Sequence, residues 1–402
     1  MSYPVRSRNR LRQHVPSTLP HQTIGLAGLC LFLLLIGFSG CEFHTGGVTD
    51  ADRNESPHTD SRSTSTIEDS ANGEALSGIN NVHVLFWNVE NLFDDNDDPG
   101  AYDDEWADWW DSAHYHRKLD HLARVILAAL KNDSGSSPVT KHDAVILAFA
   151  ELENERVLVD LAERLRELQP GMPLLKPAVG RRDTRIRVGA LAFPAPGRTT
   201  AHLFRSDARE ILELEFTYRS SRTASDTALH VLINHWKSRR GGRMETEPQR
   251  VADARGLRER VNSILQENPA AEIVLLGDFN DEPTNRSIRD ELRAIDDRRA
   301  VRNAVALNHI DVLPLYNCLA ATDPGRGTYR YQNQWQLLDQ IILAPGVLDE
   351  RGLSLRDCSI YTYDGRLIRY DEPWNYGSRD RLEKNRGYSD HLPIRLRLRM
   401  IQ

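Results

Sequence analysis

The chain has 402 residues, with 51 Lys+Arg against 58 Asp+Glu, a formal net charge of −7 and 40% hydrophobic residues. That apolar content can supply a sizeable core, and the composition excludes a fibrous protein, a disulfide-dense miniprotein and a polytopic membrane protein. The acidic balance argues against a partner that needs a strongly basic surface, such as a tight non-specific DNA coat.

The N-terminus reads as an address. Arg6, Arg8, Arg10 and Arg12 precede an apolar run over 24–38, too short to span a bilayer comfortably. The run ends in Phe38-Ser39-Gly40-Cys41. Small residues directly before a cysteine resemble a bacterial lipoprotein signal, so residues 1–41 are expected to be a signal peptide with Cys41 as the lipidated residue. The alternative is an uncleaved anchor with an incidental cysteine. Residues 42–79 are rich in Thr, Ser, Asp, Glu and Gly and are expected to form a disordered tether. The remaining cysteines, Cys318 and Cys358, either pair in an oxidising compartment or remain as two buried thiols.

From residue 80 to 402 the pattern is that of one layered domain. A β-rich run over 82–87 is followed by a helical repeat over 117–130, in which Leu119, Leu122, Ile126 and Leu130 share a face. The run 143–151 is almost continuously apolar, as in a strand buried on both faces. A helix is expected over 154–168, strands over 186–193, 211–216 and 229–234, and a polar helix over 247–267 with Pro248 in its first turn. An apolar strand over 272–277, a helix over 285–295, and strands over 328–331, 337–343 and 393–399 complete the set. Strands that alternate with helices but also succeed one another imply two packed sheets with helices outside.

Polar groups stand where these apolar strands end. Asn88, Glu151, His235, Asp278 and Asn280 each follow a strand, Asp390 and His391 precede the last one, and Asp339 lies within one. Charged groups enter apolar strands when they are paired or bind metal, so their convergence on one site is expected. Glu151, Asp278 and Asp390 are hard oxygen donors which, with Asn88 and Asn280, suit Mg²⁺, with Mn²⁺ or Ca²⁺ as alternatives. Two histidines beside such a metal fit in-line hydrolysis of a phosphate ester.

The stretches 86–94 (FWNVENLFD), 150–154 (AELEN), 233–242 (INHWKSRRGG), 275–281 (LLGDFND), 337–343 (LLDQIIL) and 389–394 (SDHLPI) resemble, in this order, the motifs of the endonuclease/exonuclease/phosphatase superfamily. That resemblance implies an α/β fold, a four-layer αββα sandwich of two packed mixed β-sheets flanked by helices. It implies Glu151 as principal metal ligand supported by Asn88 and Asp390, and Asp278 and Asn280 near the scissile phosphate, with Asp278 in proton transfer. It further implies His391 as general base oriented by Asp339, and His235 as donor to the phosphate or leaving group. The basic run Lys237, Arg239 and Arg240, opened by Gly241 and Gly242, is expected to approach substrate phosphate.

The sequence-level expectation is therefore a secreted, lipid-anchored, divalent-metal-dependent phosphodiesterase. It would be an endonuclease on DNA or RNA, monomeric, held to a bacterial outer membrane or cell surface through its N-terminus alone. The alternatives are a phosphatase or phospholipase acting on inositol phosphates, nucleotides or sphingomyelin, and a non-catalytic surface lipoprotein. Two features depart from the pattern or extend it. Arg187 stands where relatives carry an acid, and nine Asp or Glu lie between Asp94 and Asp111, in a loop expected to be packed down by Trp106, Trp109 and Trp110. An exposed aromatic hairpin of the kind that inserts into membranes is sought at Trp374-Asn375-Tyr376.

Overall fold

A computed structural model describes residues 64–67, 78–96, 109–131, 139–140, 142–181, 184–204, 208–219, 226–304, 313–320, 326–377 and 382–401. The expected leader, Cys41, most of the expected tether, Trp106 and most of the acidic segment lie outside the described residues. In chain order the elements begin with β1 (Thr64–Ile67), β2 (Asn81–Leu92), α1 (Ser112–Ala129), β3 (Asp143–Leu152), α2 (Glu155–Leu168), β4 (Lys176–Val179) and β5 (Arg187–Phe193). There follow β6 (Arg198–His202), β7 (Ile211–Arg219), β8 (Asp226–His235), α3 (Arg243–Glu267), β9 (Glu272–Asp278), β10 (Ala294–Ile295), α4 (Arg298–Ala304) and β11 (Leu315–Asn317). The chain closes with β12 (Tyr329–Tyr331), β13 (Gln334–Gln336), β14 (Asp339–Leu343), β15 (Leu353–Ile360), two short strands β16 (Ile368–Arg369) and β17 (Glu372–Pro373), and β18 (Ile394–Met400).

Two mixed sheets carry the fold: a six-stranded one in the order β15-β18-β2-β3-β5-β4 and an eight-stranded one in the order β1-β6-β7-β8-β9-β14-β11-β10. The two-residue period of each strand sorts its side chains between two layers. Val82, Val84 and Phe86 of β2 meet Leu212, Leu214, Val231, Val274 and Leu276 in the core between the sheets. Leu85 and Trp87 point the other way, onto Leu119, Leu122 and Ile126 of α1 and Leu158 and Leu161 of α2. On the far side, Leu232, Ile273 and Leu275 pack under Leu257, Val261 and Ile264 of α3. The result is the expected four-layer αββα sandwich. Asp111 caps α1 by accepting from His114 N at 2.9 Å, and Asn154 caps α2 through Val157 N at 3.3 Å.

Several local expectations are corrected. Residues 64–67, expected as tether, pair antiparallel with β6; three of the four, Thr64, Thr66 and Ile67, are β-branched, as suits a strand that covers what would otherwise be a sheet edge. Helix α3 starts at Arg243, so Pro248 lies inside it. The buried Arg250 ties its opening turn together, donating to Thr246 Oγ1 at 2.8 Å and Arg243 O at 3.0 Å. The helix expected over 285–295 is a single π turn over Ser287–Glu291, stopped by the left-handed Arg293 (φ 56°) and followed by β10. Cys318 and Cys358 form a disulfide with Cα atoms 6.2 Å apart. Trp374 and Tyr376 are not an exposed hairpin: Tyr376 is buried, and Trp374 donates from its indole to Asn385 O at 2.9 Å. Among the described residues no helix is long and apolar enough to cross a membrane.

Candidate active site

Strand register assembles the polar residues. β8 runs parallel to β9 and β14 antiparallel to it, so His235 pairs with Asp278 and Asp278 with Asp339, placing all three in one row across the larger sheet. In the smaller sheet β2 and β3 are parallel with Asn88 opposite Ala150, which brings Asn88 and Glu151 to the same strand ends. Both strands shift register immediately afterwards, between Asn88 and Leu92 and between Ala150 and Leu152. Bulges of this kind re-aim side chains, and the backbone there is left-handed at Glu90 (φ 53°), Asn91 (φ 55°) and Glu151 (φ 65°). Asn280 is also left-handed (φ 51°). Four strained residues at one place mark a site that the surrounding structure holds in position.

The side chains meet there. Asn88 Nδ2 donates to Glu151 Oε1 and to Asp278 Oδ2, both at 3.1 Å. Asn91 N donates to Glu151 Oε2 at 3.0 Å. His235 Nε2 lies 3.8 Å from Glu151 Oε1 and 3.7 Å from Asp278 Oδ2. His391 Nδ1 is 2.7 Å from Asp339 Oδ2, while its Nε2 points towards Asp278 Oδ2 at 3.9 Å. Asn280 Nδ2 reaches Trp236 O at 3.2 Å and Asp278 Oδ2 at 3.3 Å. Ser389 fixes the last-strand segment by donating to Asn88 O at 2.7 Å and accepting from His391 N at 3.1 Å.

Charge differentiates the two histidines. Burial, reinforced by Arg209 and His391, drives His235 well below its ordinary value and keeps it neutral. For His391 burial also disfavours charge, but Asp339, Asp278 and Asp390 outweigh it and hold the ring well above its ordinary value as an imidazolium. Burial raises the Asp278 carboxyl, opposed by His391. Asp278 faces both imidazoles, at 3.7 Å from His235 Nε2 and 3.9 Å from His391 Nε2, and is placed to take part in proton transfer. His391 is thereby held where it can exchange a proton through Nε2, with Asp339 fixing its Nδ1 side.

The basic run divides. Lys237 and Arg240 are exposed. Arg239 donates to Asn280 O at 2.7 Å, Asn285 Oδ1 at 2.8 Å and Asp281 Oδ1 at 3.2 Å, so it braces the Asn280 turn. Two participants escaped the sequence reading. Lys118, fully buried, donates to the carbonyls of Glu90 and Asn91, behind the amide that holds Glu151. Glu90 accepts from Tyr376 N at 2.7 Å and Gly377 N at 3.1 Å. A signal for Lys118 was present: Tyr115, Lys118, Leu122 and Val125 share a buried helix face.

A sequence profile of the endonuclease/exonuclease/phosphatase family matches residues 83–171 and 210–400. The chain belongs to that family. No curated protein sequence matches it. Among solved structures it is similar to truncated TDP2 from Caenorhabditis elegans, at 15% identity and a TM-score of 0.46, over 79% of this chain and 98% of that one. It is also similar to an endonuclease/exonuclease/phosphatase family protein from Bacteroides thetaiotaomicron, at 12% identity and a TM-score of 0.45, over 80% and 98% of the two chains. A third is the Bacteroides thetaiotaomicron VPI-5482 mannosyl-6-phosphatase Bt3783, at 12% identity and a TM-score of 0.43, over 79% and 99%.

Endonuclease/exonuclease/phosphatase proteins are divalent-metal-dependent phosphoester hydrolases, and the donor set here fits such an ion. Burial first, then the charge of Glu151 and Asp278, pushes the Asp390 carboxyl up to about 6. Carboxylates that destabilise one another's charge in a buried cleft can hold a cation. Ligand atoms of Asp278, Asp339 and His391 also lie within 4.8 Å of one another. Glu151, with Asn88 and Asp390 beside it, offers the hard oxygen donors that Mg²⁺ prefers.

Proposed function

We propose that this family member is a divalent-metal-dependent phosphodiesterase that cleaves nucleic acid, exported and held to a bacterial membrane through lipidated Cys41. The observation that carries the catalytic reading is the row His235–Asp278–Asp339 facing His391 and Glu151. Glu151, Asn88 and Asp390 would hold a divalent cation, which would supply polarisation of a phosphoryl oxygen. The chain's own groups manage protons. Asp278 accepts a proton from the attacking water as its oxygen bonds to phosphorus. The P–O bond to the leaving oxygen breaks, and that oxygen takes a proton from the imidazolium of His391. Asp339 stabilises the imidazolium and fixes the ring. Neutral His235 offers a hydrogen bond to a phosphoryl oxygen, and Asn280, pinned by Arg239 and Trp236 O, orients the ester.

The sequence context supports export: a basic n-region, a short apolar run and Cys41 at its polar edge. A smaller phosphoester is the second reading, supported by the net charge of −7, which gives a long polyanion no global attraction. The test is a substrate panel on the purified chain with Mg²⁺: plasmid DNA, RNA, bis-(p-nitrophenyl) phosphate, inositol phosphates and sphingomyelin. Nucleic-acid cleavage that stops with chelator and falls at least about 100-fold in His391→Ala is the expected result. Cleavage confined to inositol phosphates or sphingomyelin selects the second reading. Silence across the panel sinks both and leaves a binding lipoprotein.

A further inference from the structure

The outer face of the six-stranded sheet is unequally covered. Helices α1 and α2 bury Leu85, Leu147 and Leu191. Strand β18, nearer the edge, sends Ile394, Leu396 and Leu398 into the inter-sheet core and alternates them with Arg395, Arg397 and Arg399. Over the first two of these arginines lies a cavity of about 590 Å³, within the size range of small-ligand sites. Its floor is Arg395 and Arg397. Arg124 and Lys131 come from the end of α1, Arg366 from the segment after β15, and Tyr361 and Tyr363 form a wall.

Among the described residues five cations thus line this cavity against one lining acid, Asp364, in a chain whose net charge is −7. Two further acids approach from beside it: Asp120 accepts from Arg124 at 2.7 Å, and Asp357 from Arg395 at 3.4 Å. Among the described residues five cations still outnumber these three acids. The floor arginines are also oriented by neutral acceptors, Arg397 by Lys131 O at 3.0 Å and Arg395 by Ala129 O at 3.4 Å.

We propose that this cavity binds a small multivalent phosphate, a ligand with two or more phosphate groups, at a site separate from the catalytic cluster. Guanidinium forks match phosphate oxygens bidentately, and cations that enter from a helix end, a strand floor and a loop outnumber what one phosphate can engage. The separation follows from register. Arg395 pairs with Leu85 and Arg397 with His83, so the floor lies about 10–17 Å back along β2 from Asn88. It also lies on the face away from the core between the sheets.

The test is calorimetric titration of the full chain, in chelator, with inorganic tripolyphosphate, pyrophosphate and orthophosphate. One tripolyphosphate should bind per chain, at least about tenfold more tightly than orthophosphate. Lys131→Glu/Arg366→Glu, two exposed positions outside the catalytic machinery, should weaken it at least about tenfold. The gentler Lys131→Met/Arg366→Met should weaken it to a lesser degree. Hydrolysis of bis-(p-nitrophenyl) phosphate with Mg²⁺ should be unchanged in both. Absence of binding in the wild-type chain, equal binding in both double variants, or loss of binding in His235→Ala instead would overturn the proposal.

Discussion

At the residue scale, Lys118 is a buried cation whose work is done through backbone. Its ammonium binds the carbonyls of Glu90 and Asn91, two residues in the left-handed region, and the Asn91 amide that follows holds Glu151 at 3.0 Å. Lys118→Met keeps the stem and removes the charge, so the two carbonyls lose their donor and the strained turn relaxes. The expected outcome is Mn²⁺ or Mg²⁺ affinity about tenfold weaker, read by calorimetry well below the melting temperature, beside a stability loss of about 3 kcal/mol. Unchanged metal affinity with lowered stability would reduce Lys118 to a structural role. Asp339→Asn isolates a different contribution. It preserves shape but removes the charge that stabilises the His391 imidazolium across 2.7 Å. A fall in kcat of about 100-fold or more with KM little changed is expected. A proportionate rise in KM would instead assign Asp339 to substrate binding.

At the element scale, β9 shows how a strand can carry a latent liability at one end and chemistry at the other. Asp278 closes it in the active site; Glu272 opens it, buried beside Tyr218 and accepting from Leu353 N. Burial pushes the Glu272 carboxyl from its ordinary 4.5 up to about 8. A folded-state value above the unfolded one means the native chain holds the extra proton. Stability from this group is therefore complete below pH 4.5 and declines, at about 1.4 kcal/mol per pH unit at most, until the folded value near 8 is passed. Glu272→Gln removes the titration, so thermal melts should show the variant gaining on wild type as pH rises from 5 to 9. A constant difference across that range would refute the assignment. The same strand explains what was legible. Its run Ile-Val-Leu-Leu-Gly is buried on both faces, a one-dimensional signal, and the acid at its end announces the site. β15 was missed because its Leu-Ser-Leu-Arg-Asp-Cys-Ser-Ile alternates weakly, breaks register after Leu355 and lines the uncovered edge of its sheet. For Lys118 the helix face signalled burial, but its role was illegible because its partners are carbonyls of a turn distant in sequence, which hydrophobic periodicity does not encode.

At the scale of the whole molecule, the sandwich is closed by one covalent bond between its sheets. Cys318 follows β11 of the larger sheet directly, and Cys358 lies in β15 at the edge of the smaller, 40 residues further along. Cys318 belongs to the inter-sheet core and Cys358 packs against it, so the bond crosses the layer whose apolar contacts hold the sandwich together. Closing a loop of this length restricts the unfolded chain by about 3–4 kcal/mol, and such bonds persist in oxidising compartments, as the proposed export requires. Dithiothreitol should lower the melting temperature by about 5–10 °C, and Cys358→Ser should reproduce that drop and become insensitive to the reductant. Cys318→Ser/Cys358→Ser should match the single variant, because the bond is lost as one unit. Hydrolysis at 25 °C should survive in all three states, since the row His235–Asp278–Asp339 and the bulges that aim Glu151 are held by strand pairing. Loss of activity on reduction without any change in melting temperature would transfer the disulfide's importance from the sandwich to the site.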